Sequence, residues 1–254
     1  RLERLRKHDN FSFEKLDLAD RQGMDVLFRQ GKFQRVVHLA AQAGVRYSIA
    51  NPHVYIDSNI TGTLHVLEGC RHYNVEHLVF ASTSAIYGAN TTMPYSVHHN
   101  VDHPLSLYAA TKKSNELMAH SYASLYQLPV TGLRFFTVYG PWGRPDMAYW
   151  TFTRDIIEGR PIKVFNNGEL ERDFTWIDDI VSGVVATAMQ APATTQSLHR
   201  IYNIGNNSPV QLGRFIAIIE EAVGRKAERV MLPMQAGDVR ATCANIDALQ
   251  RDYG

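Results

Sequence analysis

The hydrophobic pattern in the first half of the chain alternates between strand-length apolar runs and apolar residues at helical spacing. Residues 35–40 and 78–81 are short apolar runs, which are typical of buried strands. Between them, Ile56, Ile60, Leu64 and Leu67 recur at the three- to four-residue spacing of one helix face. The predicted elements are strands at 35–40, 78–81 and 130–135 and helices at 56–67 and 108–126.

This order of elements predicts an α/β fold with a Rossmann-like, doubly wound parallel sheet, because each strand is followed by a helix that returns the chain to the same sheet edge. Such a fold is expected to begin with a strand and a glycine-rich turn whose backbone N–H groups bind a pyrophosphate. Neither feature precedes Arg1. We therefore expect the first strand and its glycine-rich loop to be absent from these 254 residues.

Glycine and proline mark loops more often after residue 140, and the predicted elements become shorter. We predict an NAD-binding domain, amino-terminally incomplete, over residues 1–140. A smaller nucleotide-sugar-binding part, carboxyl-terminally incomplete, is predicted over residues 141–254. Its predicted elements are helices at 149–158 and 178–189, strands at 162–165 and 201–204, and a helix that ends at Gly224.

Composition excludes several classes of function. The chain has 26 basic and 25 acidic residues and a net charge of +1, which gives no electrostatic reason to expect nucleic acid or a membrane surface as a partner. The chain has no apolar run of membrane-spanning length. Its two cysteines, Cys70 and Cys243, are far apart, which argues against a disulfide framework and fits a reducing, cytoplasmic location. The histidines at 98, 99 and 103 lack regular ligand spacing, so no metal site is predicted.

A tyrosine and a lysine four residues apart lie on the predicted helix 108–126. Residues at this spacing share one helix face, so we expect the Lys112 ammonium to lie beside the Tyr108 phenol and favour its ionised form. A free phenol has a pKa of about 10, and lowering it to about 7 takes roughly 4 kcal/mol of differential stabilisation. The pair predicts a general base that works with a nicotinamide cofactor.

Three hydroxyl residues, Ser82, Thr83 and Ser84, follow the apolar run 78–81. They are therefore expected at the carboxyl end of a strand, where open α/β sheets bind their ligands. The Tyr-x-x-x-Lys spacing also occurs by chance in many helices, and a single hydroxyl often caps the following turn. The strand, the hydroxyl run and the spacing to Tyr108 together favour a redox site.

Four longer stretches carry a family resemblance: residues 38–46, 102–113, 133–147 and 172–179. In these stretches the chain resembles the extended short-chain dehydrogenase/reductase family, most closely its UDP-glucuronate 4-epimerases. The resemblance covers nearly the whole chain and implies bound NAD and a UDP-sugar substrate. It also implies a homodimer formed by the helices that hold Asn59 and Tyr108. The segment between Met189 and Ile201 is shorter than in the epimerases that the chain resembles.

The resemblance implies a mechanism. Tyr108 would take the proton of the sugar's 4-hydroxyl as hydride leaves carbon 4 for the nicotinamide, while Lys112 holds the phenolate and the cofactor ribose. Thr83 matches the position whose hydroxyl bonds the 4-oxygen. A 4-keto sugar that turns over and takes the same hydride back on its other face would leave with inverted configuration. The predicted catalytic residues are thus Thr83, Tyr108 and Lys112.

The resemblance also assigns the remaining site residues. Without it, Asp17 is interpreted as a turn residue, Asn59 as a satisfied helix amide and Arg144 as a solvated loop residue. Arg240 stands where the related epimerases usually have proline, next to the loop that holds Asp238. Cofactor contacts are assigned to Asp17, Leu18, Ala40, Ala41, Gln42, Asn59, Tyr108, Lys112 and Phe135. Substrate contacts are assigned to Ser82, Ser84, Thr137, Arg144, Lys163, Phe165, Arg172 and Asp238.

Relatives that make the same 4-keto sugar differ in the residues just after Thr83. UDP-glucuronate decarboxylases resemble a pattern with glutamate where this chain has Ala85, and dehydratases carry acids at Ser84 and Ala85. Ala85 therefore favours 4-epimerisation of UDP-glucuronate to UDP-galacturonate. Two alternatives stay open: a 4-epimerase for UDP-galactose or UDP-N-acetylhexosamine, favoured if Arg144 points away from the sugar, and a non-catalytic module that binds NAD or a nucleotide sugar.

Overall fold

A four-stranded parallel sheet organises the computed structural model, which describes residues 1–192 and 197–254. Residues 193–196, within the short segment between Met189 and Ile201, lie outside the described residues. The strands are β1 Arg35–His38, β2 His77–Thr83, β3 Val130–Phe135, β4 Thr137–Tyr139, β5 Ile162–Phe165, β6 Glu171–Trp176, β7 His199–Ile204, β8 Pro209–Gln211 and β9 Arg229–Leu232. The main sheet has the order β1-β2-β3-β7.

The helices lie between these strands. They are α1 Leu2–Leu5, α2 Arg21–Gly31, α3 Tyr47–Ala50, α4 His53–Tyr55, α5 Gly62–His72, α6 Leu107–Tyr126, α7 Ala148–Ile157, α8 Ile177–Met189, α9 Leu212–Val223 and α10 Asp247–Tyr253. A π-helical turn, Ile56–Thr61, joins α4 to α5, and a 3₁₀ turn, Ser84–Tyr87, follows β2. A second 3₁₀ turn is Asn166–Gly168.

Helices cover both faces of the main sheet. Successive residues of a strand point to opposite faces, and β2 shows this directly. Phe80 packs in one buried cluster with side chains of α2, α5 and α6, whereas Val79 packs in another with Ile180 of α8. The doubly wound parallel sheet predicted from the sequence is confirmed.

The chain after residue 140 adds two small sheets and a cluster of its own. β4, β6 and β8 form one sheet, and β5 pairs with β9 in the other. Apolar side chains of α7, β5 and α9, among them Ile156, Ile162 and Ile216, pack together. β7 nevertheless lies beside β3 in the main sheet. The predicted parts 1–140 and 141–254 are therefore interleaved in space.

One expectation about burial needs correction. Residues 35–40 were expected to form a buried strand, but β1 ends at His38, and Val37 is 41% exposed because β1 is the outermost strand of the described sheet. The apolar helix face of residues 56–67 is also only partly buried. Leu67 is in the core, whereas Ile56 is 43% and Leu64 38% exposed.

Within residues 1–192 and 197–254, no helix combines the length and apolar character needed to cross a membrane. The same residues contain no group of three or more His, Cys, Asp or Glu side chains arranged to hold a metal ion.

Candidate active site

The site lies where the carboxyl end of β2 meets the start of α6. Ser106 caps the amino end of α6, because its extended backbone lets its hydroxyl accept a hydrogen bond from Ala109 N at 3.2 Å. Tyr108 follows in the first turn, and Lys112 comes one turn later on the same face. β2 ends at Thr83, which forms a hydrogen bond with Tyr108 and also caps the 3₁₀ turn through Ala85 N at 3.2 Å. Thr83 is therefore both a capping residue and a contact of the phenol.

The Tyr108 phenol is in an environment that opposes its ionisation. Burial raises its pKa, while the hydrogen bond with Thr83 and the positive charge of Arg144 act in the opposite direction. The prediction that Lys112 lowers this pKa is not met in this structure, where the net direction is upward and Arg144 is the cation that acts on the phenol. Burial removes the water that would solvate a phenolate, and a single cation does not outweigh that loss.

Lys112 is buried, and burial lowers its pKa to about 8. Its Nζ donates to Ala81 O of β2 at 2.9 Å, which is its only hydrogen bond within the described residues. An ammonium has three N–H donors. The Lys112 side chain therefore keeps donor capacity for a bound group, as a lysine that holds a ribose requires.

Ser82 does not join Thr83 in the site. Its side chain is 3% exposed, and its hydroxyl donates to Glu116 Oε1 at 2.6 Å. Glu116, one turn beyond Lys112, also accepts from Arg134 of β3 through Nε and Nη2, both at 2.9 Å. The buried ion pair therefore takes the hydroxyl hydrogen of Ser82, and the predicted sugar contact of Ser82 stays a prediction.

Asn59 fixes the segment that follows β1. Its Oδ1 accepts from Gln42 N at 2.8 Å, and its Nδ2 donates to Gln42 O at 3.1 Å and to Thr111 Oγ1 at 3.0 Å. Ala40 is exposed, and Ala41 and Gln42 are half-buried. The amide of Asn59 is thus satisfied by the protein, and it holds Gln42 against α6 rather than facing an open space.

The two residues predicted near the adenine lie at the start of α2 and beside α5. Asp17 is exposed and accepts a hydrogen bond from Ala19 N at 2.9 Å, as a turn residue does. Leu18 packs against the main core cluster, and its carbonyl is 2.7 Å from His65 Nδ1. Phe135, at the end of β3, packs against the buried cluster on the opposite face of the sheet.

Arg144 lies in the loop between β4 and α7, close enough for its charge to act on Tyr108. Its Nε donates to Asp146 Oδ1 at 3.0 Å, and its Nη2 to Asp146 Oδ2 at 2.5 Å. A methyl group on Gly44 would lie 3.7 Å from the same Nη2. Arg144 is thus a loop residue with a 46% exposed side chain, and it has both a carboxylate partner and a charge that reaches Tyr108.

A second group of predicted residues lies on β6 and the loop before α10. Arg172 Nη2 donates to Asp238 Oδ1 at 2.9 Å, so the two residues predicted to contact the nucleotide are ion-paired with each other. Arg172 Nη1 donates to Arg240 O at 3.2 Å. Arg240, which stands where related epimerases usually have proline, thus contributes its carbonyl while its side chain is exposed. Asp238 keeps its contact with Arg172 despite this difference.

The remaining predicted substrate residues differ in exposure. Lys163 is exposed on β5, and Phe165 is half-buried, with the Arg46 guanidinium 5.3 Å from its ring centre. Ser84, the first residue of the 3₁₀ turn, and Thr137, the first of β4, are half-buried.

Gly237 connects the residues around Tyr108 with those around Arg172 and Asp238. Its φ is +77°, and a methyl group there would lie 3.0 Å from Val45 Cγ1 and 3.3 Å from Leu105 O. Leu105 immediately precedes Ser106, which caps the helix of Tyr108. The loop that holds Asp238 is therefore packed directly against the start of α6.

The sequence missed several residues that shape the site. Glu116 continues the four-residue spacing of Tyr108 and Lys112, and that spacing was a usable signal. Arg134 is a charge inside an apolar strand, which indicates a buried partner. His38 gave no signal by itself. It is buried beside Thr63 Oγ1 at 3.1 Å, and burial, followed by the Lys112 charge, lowers its pKa to about 4.

Comparison with known proteins gives consistent matches. The model of the NAD dependent epimerase/dehydratase family matches residues 1–205. The chain is 50% identical to Protein CapI of Staphylococcus aureus over 257 residues, 96% of this chain and 77% of that protein. It is 46% identical to the probable UDP-glucuronate 4-epimerase of Rhizobium meliloti over 260 residues, 97% and 76% of the two chains.

A solved structure is also similar over the whole chain. The UDP-glucuronic acid 4-epimerase of Bacillus cereus, crystallised with UDP-glucuronic acid and NAD, superposes with a TM-score of 0.89 at 32% identity. The match covers 100% of this chain and 79% of that one.

Proposed function

The chain belongs to the NAD dependent epimerase/dehydratase family, and we propose that it is an NAD-dependent 4-epimerase that interconverts UDP-glucuronate and UDP-galacturonate. One observation carries the proposal: a hydrogen bond with Thr83 and the positive charge of Arg144 both act to lower the pKa of the Tyr108 phenol. A base, a hydroxyl partner and a guanidinium thus converge. Proteins of similar sequence and structure carry the name of this activity.

Lys112 and the segment around Gln42 fit the nicotinamide end of NAD. The buried Lys112 ammonium has N–H donors beyond the one that Ala81 O accepts, and a ribose hydroxyl is a suitable acceptor. Gln42, fixed by Asn59, and its neighbours Ala40 and Ala41 would lie along the cofactor. NAD, when bound, supplies a reversible hydride acceptor for carbon 4 of the sugar.

The protein's own residues would handle the proton. In its ionised form, which Thr83 and Arg144 favour, Tyr108 would accept the proton of the 4-hydroxyl as carbon 4 is oxidised, and Thr83 would hold the 4-oxygen through its hydroxyl. The same Tyr108 returns the proton when the 4-keto sugar is reduced on its other face. Lys112, one turn later on α6, would hold the cofactor ribose beside this path. No net oxidation results.

Recognition of a uronic acid would depend on Arg144, with Ser84 and Thr137 completing the sugar contacts. A guanidinium binds a carboxylate through two parallel hydrogen bonds. Arg172 would bind the diphosphate and Asp238 the uridine ribose, while Lys163 and Phe165 border the uracil. Ala85, without an acidic side chain, would leave the β-keto acid intermediate without a group that promotes loss of carbon dioxide.

NMR of the sugar after incubation of the NAD-bound protein with UDP-glucuronate tests this function. UDP-galacturonate is expected to accumulate to equilibrium with little UDP-pentose. Predominant pentose would contradict the interpretation of Ala85. Turnover of UDP-glucose alone would contradict the role of Arg144 and favour the UDP-galactose or UDP-N-acetylhexosamine 4-epimerase.

We also propose that residues 1–140 bind NAD and that residues 141–254 bind most of the nucleotide sugar.

A cytoplasmic location is proposed because Cys70 and Cys243 are free thiols. A homodimer is proposed because apolar side chains are exposed on the π-helical turn, α5 and α6, including Ile56, Leu64 and Leu117. Sedimentation of a monomer at micromolar concentration would contradict the dimer.

A further inference from the structure

Asp146 grips one edge of the Arg144 guanidinium. The two hydrogen bonds, from Nε at 3.0 Å and from Nη2 at 2.5 Å, use the side-on edge of the planar group. Both residues lie in the short loop before α7, with only Pro145 between them. Pro145 fixes its own backbone φ, so the spacing of the two side chains is set locally.

The other edge of Arg144 stays available to a ligand. A guanidinium has five N–H donors, and Asp146 takes two of them. The end-on edge, formed by Nη1 and the second hydrogen of Nη2, is unoccupied by hydrogen bonds within the described residues. Nη2 approaches Gly44, whose backbone follows the segment that Asn59 fixes. The free edge is therefore next to the predicted cofactor and sugar positions.

Resting on the function proposed above, we propose that Asp146 is a positioning residue for substrate specificity: it holds the side-on edge of Arg144 so that the end-on edge binds the sugar carboxylate. An arginine side chain has many rotamers, and a ligand that had to select one of them would bind more weakly. Asp146 makes that selection before the substrate arrives. Its effect should therefore be confined to sugars that carry a carboxylate.

The opposite role for this contact would be competition, in which Asp146 and the substrate carboxylate bind the same edge of Arg144. The geometry favours positioning, because Asp146 occupies Nε, which the end-on edge does not use. The pKa of Asp146 is lowered first by the hydrogen bonds from Arg144, and the charge of Arg46 lowers it further. Asp146 therefore stays ionised and bound to the side-on edge.

Calorimetric binding of UDP-glucuronate and of UDP-glucose to the NAD-bound protein tests the proposal. For Asp146→Ala, the Kd of UDP-glucuronate is expected to rise about two- to fivefold, the range of an exposed ion pair, and the Kd of UDP-glucose to stay unchanged. Asp146→Asn keeps an acceptor for Nε and should fall between wild type and Asp146→Ala. Because Asp146 is exposed, neither variant removes a core contact.

Asp155→Ala is the matched control, because Asp155 on α7 accepts from Arg154 of the same helix and from Arg160 beyond the helix end, and contacts no predicted site residue. It should leave both Kd values unchanged. Tighter or unchanged binding of UDP-glucuronate by Asp146→Ala overturns the proposal, and so does equal weakening for both sugars. Wild-type protein that binds UDP-glucuronate without epimerising it would contradict the proposed function alone, since the ratio of Kd values still decides the role of Asp146.

Discussion

At the scale of single residues, the environment of a side chain rather than its type decides its role. Tyr108 and Tyr122 lie on the same helix and both have a raised pKa. Tyr122 donates to Glu68 Oε1 at 2.6 Å, and this hydrogen bond to a carboxylate keeps the proton on the phenol. Tyr108 instead has a hydrogen bond with Thr83 and the charge of Arg144, both of which favour the phenolate. Of these two tyrosines, Tyr108 is therefore the one suited to exchange its proton.

Tyr108→Phe removes this proton acceptor and should lower kcat for UDP-glucuronate by about 10²- to 10⁴-fold, the usual contribution of a positioned acid or base. The phenyl ring still packs against Tyr55, whose ring centre is 6.1 Å away, so the bound NAD should remain. Turnover by NMR and NAD content by absorbance measure the two effects. Tyr122→Phe is the control with unchanged kcat, and a wild-type rate for Tyr108→Phe would exclude Tyr108 as the base.

Lys112→Met should stabilise the fold at pH 7 while it abolishes turnover. Burial lowers the Lys112 pKa from 10.5 to about 8, a shift that corresponds to about 3 kcal/mol of penalty for the buried ammonium. Loss of the hydrogen bond to Ala81 O offsets part of this gain, so about 1–2 kcal/mol is expected.

The sign of the pH dependence follows from the direction of that shift. Below pH 8 the folded wild type carries the full penalty. Between pH 8 and 10.5 the unfolded chain binds the proton that the folded chain has released, so wild-type stability rises with pH. The advantage of Lys112→Met should therefore shrink across this range in denaturant titrations. A stability difference that stays constant or grows would contradict this prediction.

At the scale of secondary-structure elements, α6 holds the site together through one face. Tyr108, Lys112 and Glu116 follow each other at four-residue spacing and contact the ends of β2 and β3. Glu116 links the Ser82 hydroxyl to the Arg134 guanidinium, and Arg134 Nη1 donates to the Tyr87 hydroxyl at 3.0 Å. This buried network fixes α6 relative to the strand that ends at Thr83.

Glu116→Ala should lower the free energy of unfolding by about 3–5 kcal/mol, because it leaves the buried Arg134 charge unpaired. The double change Glu116→Leu with Arg134→Met removes both charges and should cost less than the two single changes together. Denaturant titration measures all three variants. Glu169→Ala, at the exposed pair with Arg240, should change stability by about 0.5 kcal/mol or less. Additive losses at Glu116 and Arg134 would argue against a coupled pair.

At the scale of the whole molecule, the site depends on contact between segments far apart in the chain. Gly237 packs against Val45 and against the residues before α6, and so places the Asp238 loop against the start of that helix. β7 enters the main sheet beside β3 although it follows the small sheets in sequence. The predicted cofactor and nucleotide groups are therefore parts of one packed unit.

Gly237→Ala should weaken binding of UDP-glucuronate and destabilise the fold by roughly 1–2 kcal/mol. Its φ of +77° is unfavourable for a residue with a Cβ, and that atom would press on Val45 and Leu105 O. Thermal unfolding and calorimetry measure the two effects. Gly213→Ala is the opposite control. Gly213 lies in α9 with no described atom within 4 Å of an added Cβ, so this variant should raise the free energy of unfolding by about 0.5–1 kcal/mol. Unchanged binding by Gly237→Ala would separate the loop from the site.

The positions of Thr83, Tyr108 and Lys112 followed from the sequence because strand ends and helix spacing are local properties. The role of Ser82 did not follow from the sequence, because its partner Glu116 lies 34 residues away on α6 and the ion pair that holds Glu116 comes from Arg134 on the neighbouring strand β3. The same reason applies to the pKa of Tyr108. Spacing predicted the neighbour Lys112, whereas burial sets the upward direction of the shift and Arg144 opposes it.

The sequence alone determined the order of strands and helices, the parallel sheet and the tyrosine–lysine pair, since hydrophobic periodicity and i, i+4 spacing depend only on nearby residues. The tertiary structure decided which polar groups face the site. It placed Ser82 in a buried network, Asn59 on the backbone of Gln42 and Asp146 on one edge of Arg144. The physical reason is that a polar side chain takes the best hydrogen-bond partner that folding brings within reach, and that partner is seldom near it in sequence.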